Sequence, residues 1–368
     1  MRILCNGLRR LQGGNLRYLN EIVSALSKTQ GVELVVLIEE TRACDFSAWG
    51  EGIVIVPISI SSQVIKGIYQ ERRAVIEELK NGYDVFFSPN TLLPFYKPSI
   101  CSAVTVHDLN FRTISQGLLK DLYKRILYSY AARHADVVFA VSEFTKMEMT
   151  RYYSDSSSKI VVIGEGADLR HLAQDTDSGE TSIVDGNYLC TFGHLPNKNV
   201  EGVIDFLMEC RAQSHLDLRL KIVGTGQYIK DKVIPYIEHS GAAEYVDLLG
   251  FVSDSSLINL YRNASALIFL SKYEGFGLPV LEAMSLSCPV IVSSSGALPE
   301  LVGEAGFVVD GDQYAPALQY FARLQRASEF KENEIAKGNQ RAANFSWSIA
   351  ANKIVSNLRG LIARRRSS

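Results

Sequence analysis

Short apolar runs alternate with longer amphipathic segments along the whole chain. Clusters of β-branched and aromatic residues predict strands at 2–6, 33–38, 53–58, 83–87, 102–106 and 136–141. Apolar residues at helical spacing predict helices over 16–26, 69–80 and 117–134. At 170–187 the character changes to a polar, acidic stretch rich in Ser, Thr and Asp, which reads as a linker. The alternation then restarts. Strands are expected at 188–192, 218–223, 245–249, 265–270 and 289–293, with helices at 199–212, 228–239, 254–262, 279–286, 313–326 and 330–343. Such βα units imply parallel sheets. The fold class is α/β: two Rossmann-like, doubly wound domains facing across a cleft. The first runs to residue 168, the linker covers 169–187, and the second starts at 188.

Composition adds exclusions. The chain has 368 residues, 47% hydrophobic and 21% charged, as expected of a folded protein with two domains. No run of 18 uncharged apolar residues exists, and MRILCNGLRR has too short an apolar core for a signal peptide. Residues 1–165 carry 19 Lys+Arg and 17 Asp+Glu, and residues 166–368 carry 19 and 23. Neither balance is a nucleic-acid footprint. The six cysteines form no CxxC or metal knuckle and read as buried thiols of a reducing cytoplasm.

In doubly wound sheets, ligands bind beyond the carboxyl ends of the strands. After the first strand, Gly13 and Gly14 open a helix and would let a phosphate or sugar approach the backbone. After the strand at 102–106 comes His107-Asp108, an imidazole suited to a sugar hydroxyl or a proton. After the first strand of the second half come His194 and Lys198, the lysine beside a helix N-terminus and suited to a diphosphate. The densest segment follows the strand at 266–270. There Glu274-Gly275-Phe276-Gly277-Leu278-Pro279 leads into a helix holding Glu282. Pro279 fits the first helical turn, and the free N–H groups of about 276–280 make an anion site. Glu282, read as a first-turn residue, would join Glu274 in facing one ligand. Each carboxylate can accept two hydroxyl hydrogen bonds, which suits a ribose diol or a sugar.

Glu274 to Glu282 is E-x7-E, set in YEGFGLPVLEAM, PVIVS and ALPELVGEAG. This chain resembles the retaining group 1 glycosyltransferases of GT-B fold, within them the mannosyltransferase-like branch, and the resemblance covers nearly the whole chain. Gly13-Gly14 with Arg17-Tyr18, His107-Asp108, Val141-Ser142-Glu143-Phe144, Lys198-Asn199, Gly224-Thr225-Gly226, Leu249-Gly250-Phe251-Val252 and Phe345-Ser346-Trp347 are similar to family landmarks and occur in the family's order. The resemblance implies roles. Glu274 would bind donor-sugar hydroxyls and Glu282 the ribose. The backbone of Gly275, Phe276, Gly277 and Leu278, with Lys198, would hold the diphosphate. Gly13 and Gly14 would line the sugar diphosphate. His107 would touch the sugar and the reaction centre, and Phe251 and Val252 would meet the base. The resemblance also returns 350–368 to the first domain and leaves 188–349 as the nucleotide-sugar domain. His194 stands where many members carry arginine, so phosphate binding rests more on Lys198 and the helix dipole. Glu165-Gly166-Ala167-Asp168 replaces the family's Asn-Gly-Val-Asp.

The implied function is a retaining, metal-independent transferase. It would move a hexose, with mannose from GDP-mannose as candidate and the base open, to a glycan or lipid-linked acceptor of a cell-surface polysaccharide. No cofactor, metal or nucleic acid is expected. Asp175-Thr176-Asp177 and Asp310-Gly311-Asp312 read as loop carboxylates. Segments 59–69 and 109–118 are candidate acceptor loops. The basic amphipathic segment 117–134 and Arg364, Arg365 and Arg366 suggest a cytoplasmic protein, peripheral on an anionic inner membrane face. The alternatives are a nucleotide-sugar-binding protein without transferase activity, a sugar-nucleotide epimerase, or a phosphorylase-like enzyme.

Overall fold

The computed structural model describes residues 1–8, 13–42, 49, 52–61, 64–90, 93, 97–115, 117–167, 187–214 and 217–367. The chain divides into two compact units: Met1–Gly166 with Ser346–Ser368, and Ala167–Phe345. Apart from Asn187, which opens a strand, the expected linker lies outside the described residues, as does Asp175-Thr176-Asp177.

Unit 1 is built on seven parallel strands: β1 (Arg2–Gly7), β2 (Glu33–Glu39), β3 (Ile53–Ile58), β4 (Val85–Ser88), β5 (Cys101–Val106), β6 (Val137–Ala140) and β7 (Ile160–Val162). Their order is β3-β2-β1-β4-β5-β6-β7, so the winding reverses between β1 and β4. The central strands are buried on both faces by helices, which is why they read as continuous apolar runs. Helix α1 (Gly14–Ser27) buries Tyr18, Leu19, Ile22, Val23 and Leu26, the i, i+4, i+8 stripe of an amphipathic helix. Helix α2 (Val64–Glu78) starts before the expected residue 69. It runs through Gly67, a poor helix former, because a Cβ there would lie 2.8 Å from the Ser61 carbonyl. Helices α3 (Leu118–His134) and α4 (Glu143–Tyr152) flank β6, and the Ser142 hydroxyl caps α4 by accepting from the Thr145 N–H at 2.9 Å.

Unit 2 carries six parallel strands in the order β10-β9-β8-β11-β12-β13, reversing between β8 and β11. They are β8 (Asn187–Phe192), β9 (Leu218–Val223), β10 (Val246–Gly250), β11 (Ala266–Phe269), β12 (Val290–Ser293) and β13 (Phe307–Val309). Its core joins Leu189, Leu220, Ile222 and Ile268 of the sheet to Val203, Ile204 and Phe206 of α5 (Val200–Ser214) and to Phe321 of α10 (Ala315–Arg326). Between these helices come α6 (Ile234–His239), α7 (Asp254–Asn263), α8 (Leu278–Ser285) and α9 (Leu298–Val302). Helix α11 (Ser328–Ala342) follows α10. The last helix, α12 (Trp347–Ser367), belongs to unit 1 and packs on α1 through Trp347, Ala350, Ala351, Ile354, Val355 and Leu358.

Candidate active site

In unit 2 the loops leaving β8 and β11 meet at the reversal of strand order, where doubly wound sheets bind ligands. A short turn, Pro196–Lys198, brings Lys198 to the N-terminal end of α5, and Asn199 completes it in the left-handed region at φ 51°. The Lys198 ammonium donates to Glu274 Oε1 at 2.7 Å, and the Ser271 hydroxyl donates to the same oxygen at 2.6 Å. The two side chains keep only 10% and 13% of their surface exposed. Two further bonds stitch the loops together. Asn197 Nδ2 donates to the Tyr273 carbonyl at 3.1 Å, and the Lys272 N–H to the Asn197 carbonyl at 2.7 Å. The Phe269 ring lies 4.9 Å from the Lys198 ammonium and adds a cation–π contact.

Glu274 is fixed from behind by the loop after β12. The Ala297 N–H donates to the Glu274 carbonyl at 2.9 Å. Gly296, at φ 67°, lies so close that a Cβ would fall 2.4 Å from that carbonyl oxygen. Past Glu274 the chain turns through Gly277, at φ 108°, into α8, with Pro279 in the first turn. Among the described residues no acceptor takes the N–H of Phe276, Gly277 or Leu278, whereas that of Val280 donates to the Gly277 carbonyl. The open donors are therefore fewer than the segment 276–280 suggested. The side chains of Phe276 and Leu278 are buried, with Phe276 set edge-on to Phe345 at 5.8 Å.

Glu282 corrects the expected geometry. It lies beyond the first turn of α8 and is buried, with Oε2 accepting from the Tyr261 hydroxyl at 3.1 Å. As the fifth residue it lies on the same face as Leu278, one turn further along the helix. His194 keeps solvent contact. Partial desolvation, then the Lys198 ammonium, push its imidazole below the ordinary value against a smaller pull from Glu274. Both effects favour the neutral form of His194. Phe251 is 89% exposed just past the end of β10, followed by half-buried Val252. Asp310-Gly311-Asp312 forms the turn after β13, with Ser294 donating to Asp310 Oδ1 at 3.4 Å.

In unit 1, Gly13 caps α1 at φ 55°, ψ −133°, a conformation reserved for glycine, and nothing lies within 4 Å of where its Cβ would be. Gly14 is the first residue of α1. His107 follows β5 and is held on three sides. Its Nε2 lies 2.8 Å from the Pro89 carbonyl, its Nδ1 lies 3.2 Å from Glu165 Oε1, and the Tyr18 ring meets it edge-on at 4.5 Å. Both nitrogens face oxygen acceptors, an arrangement that favours the protonated ring. Burial lowers its pKa, but the Glu165 hydrogen bond and charge, the Pro89 carbonyl and Asp108 together raise it above the ordinary value. Protonated, His107 places a positive charge at the end of β5, held by Glu165 and the Pro89 carbonyl.

Sequence reasoning named His107, Lys198 and Glu274. It gave no supporting role to the groups that hold them: Ser271, Asn197, Gly296, Glu165, Tyr18 and Trp347. Tyr18 donates or accepts at Thr105 Oγ1, 3.0 Å away, and stacks edge-on with Trp347 at 5.6 Å. Gly166 admits the backbone of Trp347, since a Cβ would fall 2.2 Å from its nitrogen. The glycine in Gly166-Ala167 was the available signal for that approach.

The first half of the chain, residues 12–171, matches the model of Glycosyltransferase Family 4, and residues 173–341 match that of Glycosyl transferases group 1. O-antigen chain mannosyltransferase B of Escherichia coli is 26% identical over 274 residues, covering 72% of this chain and 71% of that one. O-antigen chain mannosyltransferase RfbU of Salmonella typhimurium is 25% identical over 248 residues, 64% of each. In fold, the chain is similar to sucrose-phosphate synthase of Thermosynechococcus elongatus, with a TM-score of 0.82 at 17% identity over 99% of both chains. It is also similar to Anabaena Alr3699/HepE in complex with UDP-glucose, with a TM-score of 0.76 at 19% identity over 98% of this chain and 100% of that one. Two parallel-sheet Rossmann-like units with such neighbours are the GT-B architecture. The chain belongs to the group 1 glycosyltransferases and is an enzyme of that class.

Proposed function

We propose that this glycosyltransferase is a retaining, metal-independent hexosyltransferase. Mannose from GDP-mannose is the first candidate donor, and the acceptor is a glycan or lipid-linked glycan of a cell-surface polysaccharide. The observation that carries this reading is the Lys198–Glu274 pair at the strand-order reversal of unit 2, beside the open N–H groups at the start of α8. A diphosphate takes the ammonium and the N–H groups, which frees Glu274 Oε1 to accept from sugar hydroxyls. Such fixed donors stabilise a departing diphosphate without help from a metal. Phe251, exposed past β10, offers a stacking face to the base, and Glu282 takes the ribose.

In the transfer, the bond between sugar C1 and the phosphate oxygen breaks. The acceptor oxygen bonds to C1 from the same face, and its proton passes to a diphosphate oxygen. His107, whose protonated form is favoured by Glu165 and the Pro89 carbonyl, contributes positive charge beside the donor sugar. The mannosyltransferase relatives of O-antigen synthesis favour mannose and a surface polysaccharide. The exposed apolar and basic side chains of α3 favour a cytoplasmic enzyme peripheral on the inner membrane face. The polybasic C-terminus adds less, because Arg366 pairs with Asp84 and Arg365 donates to the Ser99 carbonyl.

The test is release of nucleoside diphosphate from GDP-mannose, UDP-glucose and ADP-glucose in the presence of glycan acceptors, with the product anomer read by NMR. Acceptor-dependent release that survives EDTA and conserves the donor's anomeric configuration is expected. An inverted product refutes retention, and loss in EDTA refutes metal independence. Binding without release, unchanged in Glu274→Ala, refutes the assignment of Glu274 to donor turnover.

A further inference from the structure

A cavity of about 620 Å³ in unit 1 lies between α3 and the end of α4. Its lining includes Arg112, Arg125, Arg133, His134, Tyr130 and Tyr153, with no aspartate or glutamate among the described side chains. Among the described residues no carboxylate pairs with any of the three arginines. Arg112 is pre-positioned: Tyr152 and Tyr153 lie 4.6 and 5.3 Å from its guanidinium, and its Nη2 donates to the Tyr153 hydroxyl at 2.9 Å. Its Nε is buried with no hydrogen-bond partner among the described residues. Planar guanidinium forks held in place match phosphate oxygens at little entropic cost. The far wall, from Arg133 and Tyr152 to Ser154, lies where α3 enters β6 and α4 leaves for β7. That is the amino-end side of the strands, opposite His107.

A second observation adjoins the cavity. Leu118, Leu122 and Ile126 recur at i, i+4 and i+8 on α3, and with Leu119 they form an exposed apolar row. Leu118 and Leu119 are 89% and 84% exposed, so the helix is not packed into the core along this face. Ile126 belongs both to the row and to the cavity wall. The row therefore leads into a basic chamber.

We infer that this cavity is a second, non-catalytic site that grips the phosphate of an anionic lipid headgroup, with the apolar row of α3 lying against the lipid's hydrocarbon. The inference rests on the membrane part of the proposed function and deepens it. A free phosphate would use the arginines alone and leave the leucine row facing water, whereas an amphiphile satisfies both.

Flotation of the full chain with phosphatidylcholine vesicles carrying phosphatidic acid or phosphatidylserine, adjusted to equal surface charge, tests it. The wild type should prefer phosphatidic acid, whose phosphate monoester can enter the cavity. Arg125→Gln with Arg133→Gln, both exposed and tolerable to the fold, should weaken that binding about thirtyfold, at roughly 1 kcal/mol per charge, and abolish the preference. Nucleoside diphosphate release to a soluble acceptor should not change. Leu118→Ser with Leu122→Ser should weaken binding to both vesicles alike. Binding that follows surface charge alone, or is unmoved in the arginine variant, overturns the site but leaves the membrane reading standing. Failure to bind any vesicle overturns both. Stabilisation by glycerol 3-phosphate that requires Arg125 and Arg133, without vesicle binding, makes the cavity a soluble phosphate site and overturns the lipid assignment.

Discussion

Replacing Lys198 by alanine separates the two jobs of one ion pair. The ammonium and Glu274 meet at 2.7 Å with about nine-tenths of each side chain withdrawn from water. Removing one partner of such a pair leaves the other charge uncompensated, at about 3 kcal/mol, the lower end of the usual range because some solvent reaches both groups. Lys198→Ala and Glu274→Ala should each cost about that much. The double variant should cost about the same as either single one, a coupling of about 3 kcal/mol. Activity should behave differently. Lys198→Ala loses the cation proposed to meet the diphosphate, so kcat should fall roughly 10²- to 10³-fold, and the double variant should not recover it. Urea unfolding followed by circular dichroism, with the transition of unit 2 fitted separately, gives the stabilities, and diphosphate release gives the rates. If the single costs add to within about 0.5 kcal/mol, the pair is not coupled and the reasoning fails.

Glu165→Gln should lower the titration midpoint of His107, read by NMR. The wild-type pKa is raised, so its contribution to stability is full below the ordinary histidine value and is lost as pH rises through the folded one. The variant should flatten that dependence, and an unmoved midpoint would show that Glu165 does not set the proton. Gly296→Ala should cost about 1–3 kcal/mol and disable the enzyme by pushing Glu274 off station, checked by thermal unfolding and turnover. Phe251→Ala should leave stability within about 0.5 kcal/mol of wild type, because the ring is exposed. It should raise the donor KM roughly tenfold, and an unchanged KM would remove the ring from the base site.

Much of the fold can be read from the alternation of apolar runs with amphipathic stretches, because central parallel strands must be apolar on both faces. The strands β7 and β13 could not be read this way. Ile160–Val162 and Phe307–Val309 are three-residue edge strands, shorter than the run that gives a strand signal. Helix α4 was missed because its apolar face is slight: only Thr145 and Met149 are buried. At the site, E-x7-E and the lysine loop were visible because their spacing in sequence is short. Their supports were not. Glu165 lies 58 positions from His107, and Ser271 touches Asn197 from 74 positions away. Such contacts are set by which loops share a sheet edge, and no local pattern encodes that. Glu282 was misplaced for a smaller reason, the position at which α8 starts.

Helix α12 crosses back to complete unit 1, and this fixes an order of assembly. Unit 2 is a continuous stretch of chain and can close as soon as Phe345 has been made. Unit 1 has all its strands earlier, yet the flank of α1 stays bare until Trp347 to Leu358 arrive. Trp347 backs Tyr18, and Tyr18 backs His107. The histidine is thus seated by residues synthesised after unit 2 is finished. A chain ending before Trp347 would keep the Lys198–Glu274 pair and lose the ring that backs Tyr18 and His107.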